Sequence, residues 1–223
     1  MANAKNSTDT GLPGISPEDM EKLEELKAQA DKFKLDVHLV KLLLHEPFFS
    51  ALLRKVTKVK SYGLPTAGVT VKDSEFTLFW NPIFVMGLEN RQIRGLLKHE
   101  CYHLIFKHCT GRKQDPHILW NIATDLAINS IIDENELPSE GLIPGKPLNL
   151  EKINDPIQLS RWKKLSDMIE GMKKGLSSEQ YMEMLREHQD EIEKMFSEGD
   201  GFPVQMDDHE GWGEMSEEER QVA

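Results

Sequence analysis

The stretch "LLKHECYHLIFKHC", residues 96 to 109, constrains this chain more than any other part of it. It holds His99, Glu100 and His103, the pattern H-E-x-x-H, within a run of Leu, Ile and Phe that reads as a buried helix. On a helix, His99 and His103 lie one turn apart and face the same way. Two imidazoles at that spacing suit one zinc ion, and Glu100 beside them suits a general base acting on the zinc's water. Leu96, Leu97, Leu104, Ile105 and Phe106 surround the triplet. Burying two histidines and a carboxylate there without partners is costly, and a metal removes that cost. The competing reading is a core helix whose histidines bond to backbone or to each other.

A third ligand must come from elsewhere in the chain. In "HILWNIATDLAINSIIDEN", a second apolar helix, Asn121, Asp125 and Asn129 recur every four residues as one polar stripe. The turn "TGRKQDP" between the helices makes an antiparallel hairpin, centred near residue 114. His103 and Asp125 are equidistant from that centre, so their side chains fall at one height, and Asn129 falls level with His99. Asp125 is therefore expected to complete a His, His, Asp triad with a fourth position open, the layout of a catalytic rather than a structural zinc site. The alternative for Asp125 is a hydrogen bond to a ligating histidine instead of to the ion.

The other histidines fit less well. His108 is rotated by about 140° from His103 on a continuous helix, which argues against ligation. His117 lies too far along the second helix, and His38, His45 and His188 sit in ordinary helical context. His209 differs, because "MDDHEGW" clusters acids, a histidine and a tryptophan in a loop. It is a candidate catalytic residue that stabilises the tetrahedral intermediate, or else part of a solvated acidic tail.

The remaining pattern frames the site. Residues 1 to 16 read as a disordered lead-in. Ser16 and Pro17 open a surface helix, and two short helices follow with a break near Pro47. Strands are expected near 56 to 61, 67 to 72 and 75 to 80, the last two as a hairpin. The third, "SEFTLFWNP", either holds an extended peptide as an edge strand or only completes the sheet. The long helix is read as running to Cys109 and the second one as 117 to 133. A Pro- and Gly-rich loop then leads to amphipathic helices over 160–175 and 177–196, the latter capped by Ser177 or Ser178. The expected domain is a 17–135 core completed by a 136–223 extension with an acidic tail.

Composition narrows the partners. A net charge of −11 argues against nucleic acid and anionic membranes. No apolar run reaches the ~18–20 residues a membrane span needs. Cys101 and Cys109 on one helix would stand ~12 Å apart, too far for a disulfide, so free thiols and a cytoplasmic setting are expected.

The combination "FWNPIFV…LLKHECYHLIFKH…R…LWNIATDLAIN" resembles the "Putative metallopeptidase domain" family of bacterial and phage proteins, often followed by a von Willebrand A-like domain. The residues that carry the resemblance are Asn81, Pro82, His99, Glu100, His103, His108, Arg112, Trp120, Asn121, Ala123, Asp125 and Asn129, with "DDHEGW" matching more loosely. The resemblance implies a zincin-like fold and metal-dependent peptidase chemistry, without naming a substrate. No von Willebrand-like segment follows Ala223, so the domain is read as free-standing or as a fragment.

The resulting expectation is an α+β, zincin-like fold with a small mixed or antiparallel sheet on the H-E-x-x-H helix. Zinc is held by His99, His103 and Asp125, and Glu100 activates water to attack a peptide bond in a protein or peptide substrate. Two rivals stand beside it. One is a metal-stabilised adaptor without catalysis, whose Met168, Met172, Met182, Met184 and Met195 would form an adaptable protein-binding surface. The other is a metallohydrolase acting on a non-peptide amide.

Overall fold

The structure, a computed structural model, describes residues 16–72, 75–139 and 141–197. Helix α1 (Pro17–Ala30) starts at Ser16, whose Oγ accepts the Asp19 amide at 3.2 Å. Helices α2 (Leu35–His45) and α3 (Pro47–Leu53) break at Pro47, since proline pushes the residue before it out of helical geometry.

Strands β1 (Thr57–Lys60), β2 (Ala67–Lys72) and β3 (Glu75–Trp80) form a mixed sheet in the order β1-β3-β2. β2 and β3 are antiparallel, with Val69 opposite Leu78, whereas β1 runs parallel to β3, with Thr57 opposite Thr77. Of the two readings of residues 75–80, this bears out the strand that completes the sheet and not the edge strand. β3 is central, and neighbours on both sides occupy its backbone donors and acceptors, so it has no free edge for a peptide.

After the sheet come α4 (Pro82–Met86), α5 (Asn90–Ile105), α6 (His117–Asn129), a short 3-10 turn (Glu134–Glu136), α7 (Pro156–Glu170), α8 (Ser178–Arg186) and α9 (Gln189–Ser197). The class is α+β, as expected. Helix boundaries differ from the sequence reading: α5 ends at Ile105 rather than Cys109, α6 at Asn129 rather than 133, α7 covers Pro156–Glu170 rather than 160–175, and the 177–196 helix is two helices. The last break lets both halves bury apolar residues, α8 through Tyr181, Met182 and Leu185, α9 through Ile192 and Met195. No proline or glycine marks it.

Among the described residues, two large apolar cores result, with a small third cluster of Ile128, Ile132 and Leu137. One joins the sheet to α2, α3 and α5 through Leu42, Leu53, Val69, Leu78, Ile93 and Leu97. The other wraps α6 with α7, α8 and α9 through Trp120, Ile122, Leu126, Trp162, Tyr181 and Leu185. Each such side chain contributes about 1.5–3 kcal/mol when fully buried. Met172, Met182 and Met195 belong to this second core, so they do not form the contact surface considered above. The α5–α6 seam lies between the two large cores, and His99 and His103 of α5 meet Asp125 and Asn129 of α6 in it. Among the described residues, no helix is long and apolar enough to cross a membrane.

Candidate metal centre

His99 and His103 project from α5 into the seam, and Asp125 meets them from α6. The His99 Nε2–His103 Nε2 separation is 2.8 Å. Asp125 Oδ1 lies 3.5 Å from His99 Nε2 and 3.3 Å from His103 Nε2. All three side chains are buried. Tetrahedral ligands at the usual Zn–N and Zn–O distances stand roughly 3.3 Å apart, so these three atoms already form one face of such a site. Two neutral imidazoles and a carboxylate leave a buried negative charge that a cation neutralises. The residues present therefore fit a metal ion held by His99, His103 and Asp125.

The surrounding hydrogen bonds orient these donors. Asn129 Nδ2 donates to the Leu142 carbonyl at 2.9 Å, so its Oδ1 faces His99 Nδ1, at 2.8 Å. An oxygen there requires a proton on His99 Nδ1, which leaves the Nε2 lone pair aimed at the cluster. The hairpin register thus brings Asn129 level with His99, and Asp125 level with His103.

His108 is placed by the end of α5. The His108 amide bonds the His103 carbonyl at 3.0 Å and the Lys107 amide bonds the Leu104 carbonyl at 3.1 Å. This pair is a Schellman motif, and Lys107 adopts the required left-handed backbone, with φ 57°. The chain turns back, so His108 comes to lie behind His103, with the two Nδ1 atoms 3.3 Å apart. His108 touches the ring nitrogen that faces away from the cluster and is not part of it. A continuous helix would have rotated it elsewhere. The motif was missed in the sequence because position 107 carries no glycine.

Glu100 is fully enclosed on α5. A small cavity of about 30 Å³ reaches the cluster, lined by His99, Asp125 and Asn129 below and by Thr66, Phe84 and Leu137 above. That volume is on the scale of a water's share of the liquid, not of a peptide side chain. Asn81 shapes one wall. Its Oδ1 caps α4 through the Ile83 amide at 2.9 Å, its Nδ2 donates to the Leu64 carbonyl at 2.8 Å, and its own amide holds the Thr66 carbonyl at 2.7 Å. The Asn-Pro pair thus fixes the loop over the site rather than presenting a strand edge.

Two other carboxylates near the hairpin are engaged elsewhere. Glu136 accepts from Lys98 Nζ at 2.8 Å and from Arg94 Nε at 2.7 Å, while Glu134 pairs with Lys146 and Lys174. Burial lowers the Lys98 ammonium, but the Glu136 and Glu46 carboxylates outweigh it and hold it above its ordinary range. Arg112 grips Glu179 of α8 with two nitrogens, Nε at 2.9 Å and Nη2 at 2.5 Å, and Nη1 donates to the Phe106 carbonyl at 3.3 Å. Cys101 and Cys109 are free buried thiols, and burial pushes Cys109 up to about 12. The lead-in at 1–15 and the tail at 198–223, including His209, lie outside the described residues.

Over residues 32–223 the sequence matches the family model described as "Putative metallopeptidase domain". The chain belongs to that family, and the family points to a metal cofactor and peptidase-like chemistry. Comparison with curated proteins and with solved structures finds no match.

Proposed function

We propose that this chain is a zinc-dependent, zincin-like hydrolase of peptide bonds. The observation that carries the proposal is the convergence of His99 Nε2, His103 Nε2 and Asp125 Oδ1 within 3.5 Å of one another in a buried seam. Two imidazoles and one carboxylate favour zinc among the common divalent ions. When bound, zinc supplies Lewis acidity, polarising a carbonyl oxygen and making water nucleophilic near neutral pH. Glu100 then serves as the base: its carboxylate accepts a proton from the attacking water and passes it to the leaving amine. Asn129 keeps His99 in the tautomer that binds, and Asp125 supplies the charge that selects a cation. His209 is assigned to the developing oxyanion. The 17–135 core and the helices after it act as one domain, since α6 is the centre of the second apolar core.

The test is a comparison of variants. Glu100→Gln is expected to keep zinc at one per chain and to lose hydrolysis of a degenerate peptide library by at least a hundredfold. Hydrolysis that survives with zinc bound removes Glu100 from the mechanism.

The enclosure of the cluster favours a second reading, the metal-stabilised adaptor. His103 and Glu100 are both 0% exposed, and the cavity that reaches the cluster, about 30 Å³, is lined by His99 and Asp125 rather than by them. Under that reading zinc raises stability, Glu100→Gln changes nothing measurable in function, and no peptide is cut at any concentration of enzyme.

A further inference from the structure

Helix α2 carries more apolar surface than its core contacts use. Leu35 and Leu42 are its buried side chains. Val37, Val40 and Leu44 lie on another face and are 49%, 59% and 76% exposed, and Phe48 at the start of α3 is 64% exposed. The α2 spacing of three and then four residues is that of the a and d positions of a heptad, so these three side chains form one seam along the helix. Single exposed leucines are ordinary, but an ordered row of this kind marks a contact site.

A basic cleft borders the seam. His38, Lys41 and His45 occupy the α2 face about 100° around the helix from it. With Arg91 and Arg94 of α5 they line a cavity of about 340 Å³. None of the described residues lining it is acidic, although the chain holds 38 acids against 27 lysines and arginines. Lys41 Nζ donates to the side-chain oxygen of Asn90 at 2.7 Å, a neutral partner. Arg94 is held in place by Glu136. Arg91 pairs with Glu89 at 2.9 Å, but both side chains are more than half exposed, so the pair is weak and a partner's carboxylate can replace it.

We propose that the α2 seam and the α2–α5 cleft together dock an acidic amphipathic helix of a partner protein. Apolar residues of that helix, at the same heptad spacing, pack along Val37, Val40 and Leu44. Asp or Glu side chains on its flank enter the cleft and meet Lys41, Arg91 and Arg94 in charge-assisted hydrogen bonds. The charge of the cleft complements an acidic partner and repels a basic one. Shape separates the surface from a membrane anchor, because the cations line a concavity that a side chain can fill and a flat bilayer cannot. A second copy packed antiparallel would set the basic flank against itself, which like charges disfavour. On α5, Arg94 lies about 140° around the helix from His99, so this surface is separate from the metal cluster and does not depend on it.

The experiment is selection of a displayed random-peptide library on the full chain, followed by titration of the selected peptides by fluorescence anisotropy. They are expected to be acidic, to carry apolar residues three and four apart, and to gain helical circular dichroism on binding. Leu44→Glu places a charge in the seam, and the double variant Lys41→Glu, Arg91→Glu reverses the charge of the cleft. Each is expected to weaken binding roughly tenfold or more. All three positions are exposed, and thermal melting of each variant checks that the fold is intact. A selection that returns no binder, peptides that are not acidic, or peptides that bind the variants as tightly as the wild type would each overturn the proposal. So would three other occupants. Binding to phosphatidylcholine–phosphatidylserine vesicles that Leu44→Glu abolishes assigns the surface to a bilayer. Self-association in ultracentrifugation that Leu44→Glu abolishes assigns it to a second copy. Carbodiimide cross-links within one chain, from Lys41 to acids of residues 198–223, assign it to the chain's own tail.

Discussion

Asp125 Oδ1 stands 3.3 Å from His103 Nε2, although 22 positions separate the two residues in the chain and they come from different helices. That contact closes the three-donor face, so metal binding is expected to stabilise the fold. At free zinc one hundred times the dissociation constant, the gain is about 2.7 kcal/mol. Differential scanning fluorimetry with zinc and with chelator measures it. Asp125→Ala should abolish the difference, leaving identical melting curves in both buffers.

Asn129 has two duties that substitution can separate. Asn129→Asp keeps an oxygen for His99 Nδ1 but loses the donor to the Leu142 carbonyl, which costs about 1–3 kcal/mol of stability. Its zinc affinity should stay close to that of the wild type. Asn129→Leu should lose both, with zinc affinity falling roughly 10–100-fold. Isothermal titration and chemical denaturation read the two effects separately.

Gly95 sits in the middle of α5, where alanine is ordinarily better by about 1 kcal/mol. Here the sign reverses. A Cβ at this position would meet the Glu136 carbonyl oxygen at 2.0 Å, a backbone atom that cannot swing aside. Gly95→Ala should destabilise by about 1–3 kcal/mol, the usual range for overpacking. It should also displace the 134–136 turn from Lys98. Urea denaturation checks the sign, and a stabilised variant would show that the turn gives way freely.

The Arg112–Glu179 pair predicts a pH dependence. Burial pushes the Glu179 carboxyl up, but the Arg112 guanidinium outweighs it and holds the group below its ordinary 4.5. A depressed folded pKa stabilises above the unfolded value, and the gain disappears as pH falls through the folded one. Arg112→Met should therefore be less stable than wild type at pH 7, and the gap should narrow below pH 4.5. The pair is more than a third exposed, so the gap should stay within about 1 kcal/mol. Denaturation at a series of pH values tests this.

Local signals were legible where one short segment decides the outcome. Pro47 broke α2 from α3, Ser16 capped α1, and runs rich in Val, Thr, Phe and Trp marked the 67–72 and 75–80 strands. The polar stripe of Asn121, Asp125 and Asn129 on an apolar helix identified the partner of the H-E-x-x-H helix, and equal distances from the turn set its height. The same register placed Asn129 level with His99, but its hydrogen bond to the His99 ring came only with the structure. The failures were of another kind. Whether the 75–80 strand is central or at an edge depends on where β1 docks, and nothing within that strand records it. The end of α5 depends on Lys107 taking a left-handed backbone, which the usual glycine signal does not announce. The methionines of 168–195 fitted a contact surface or, more commonly, a core, and only packing placed Met172, Met182 and Met195 in the core.

The sequence by itself determined that two imidazoles share one helical face and that a carboxylate on the next helix lies level with them, because helix period and hairpin symmetry are local geometry. Only the tertiary structure decided what stands behind those side chains. Ser178 reaches His108 from α8, 70 positions along the chain, and Leu142 orients Asn129 from a loop. Those contacts depend on how α6 and α8 bury a shared apolar core. Such packing is collective, set by many side chains at once, so no segment encodes it alone.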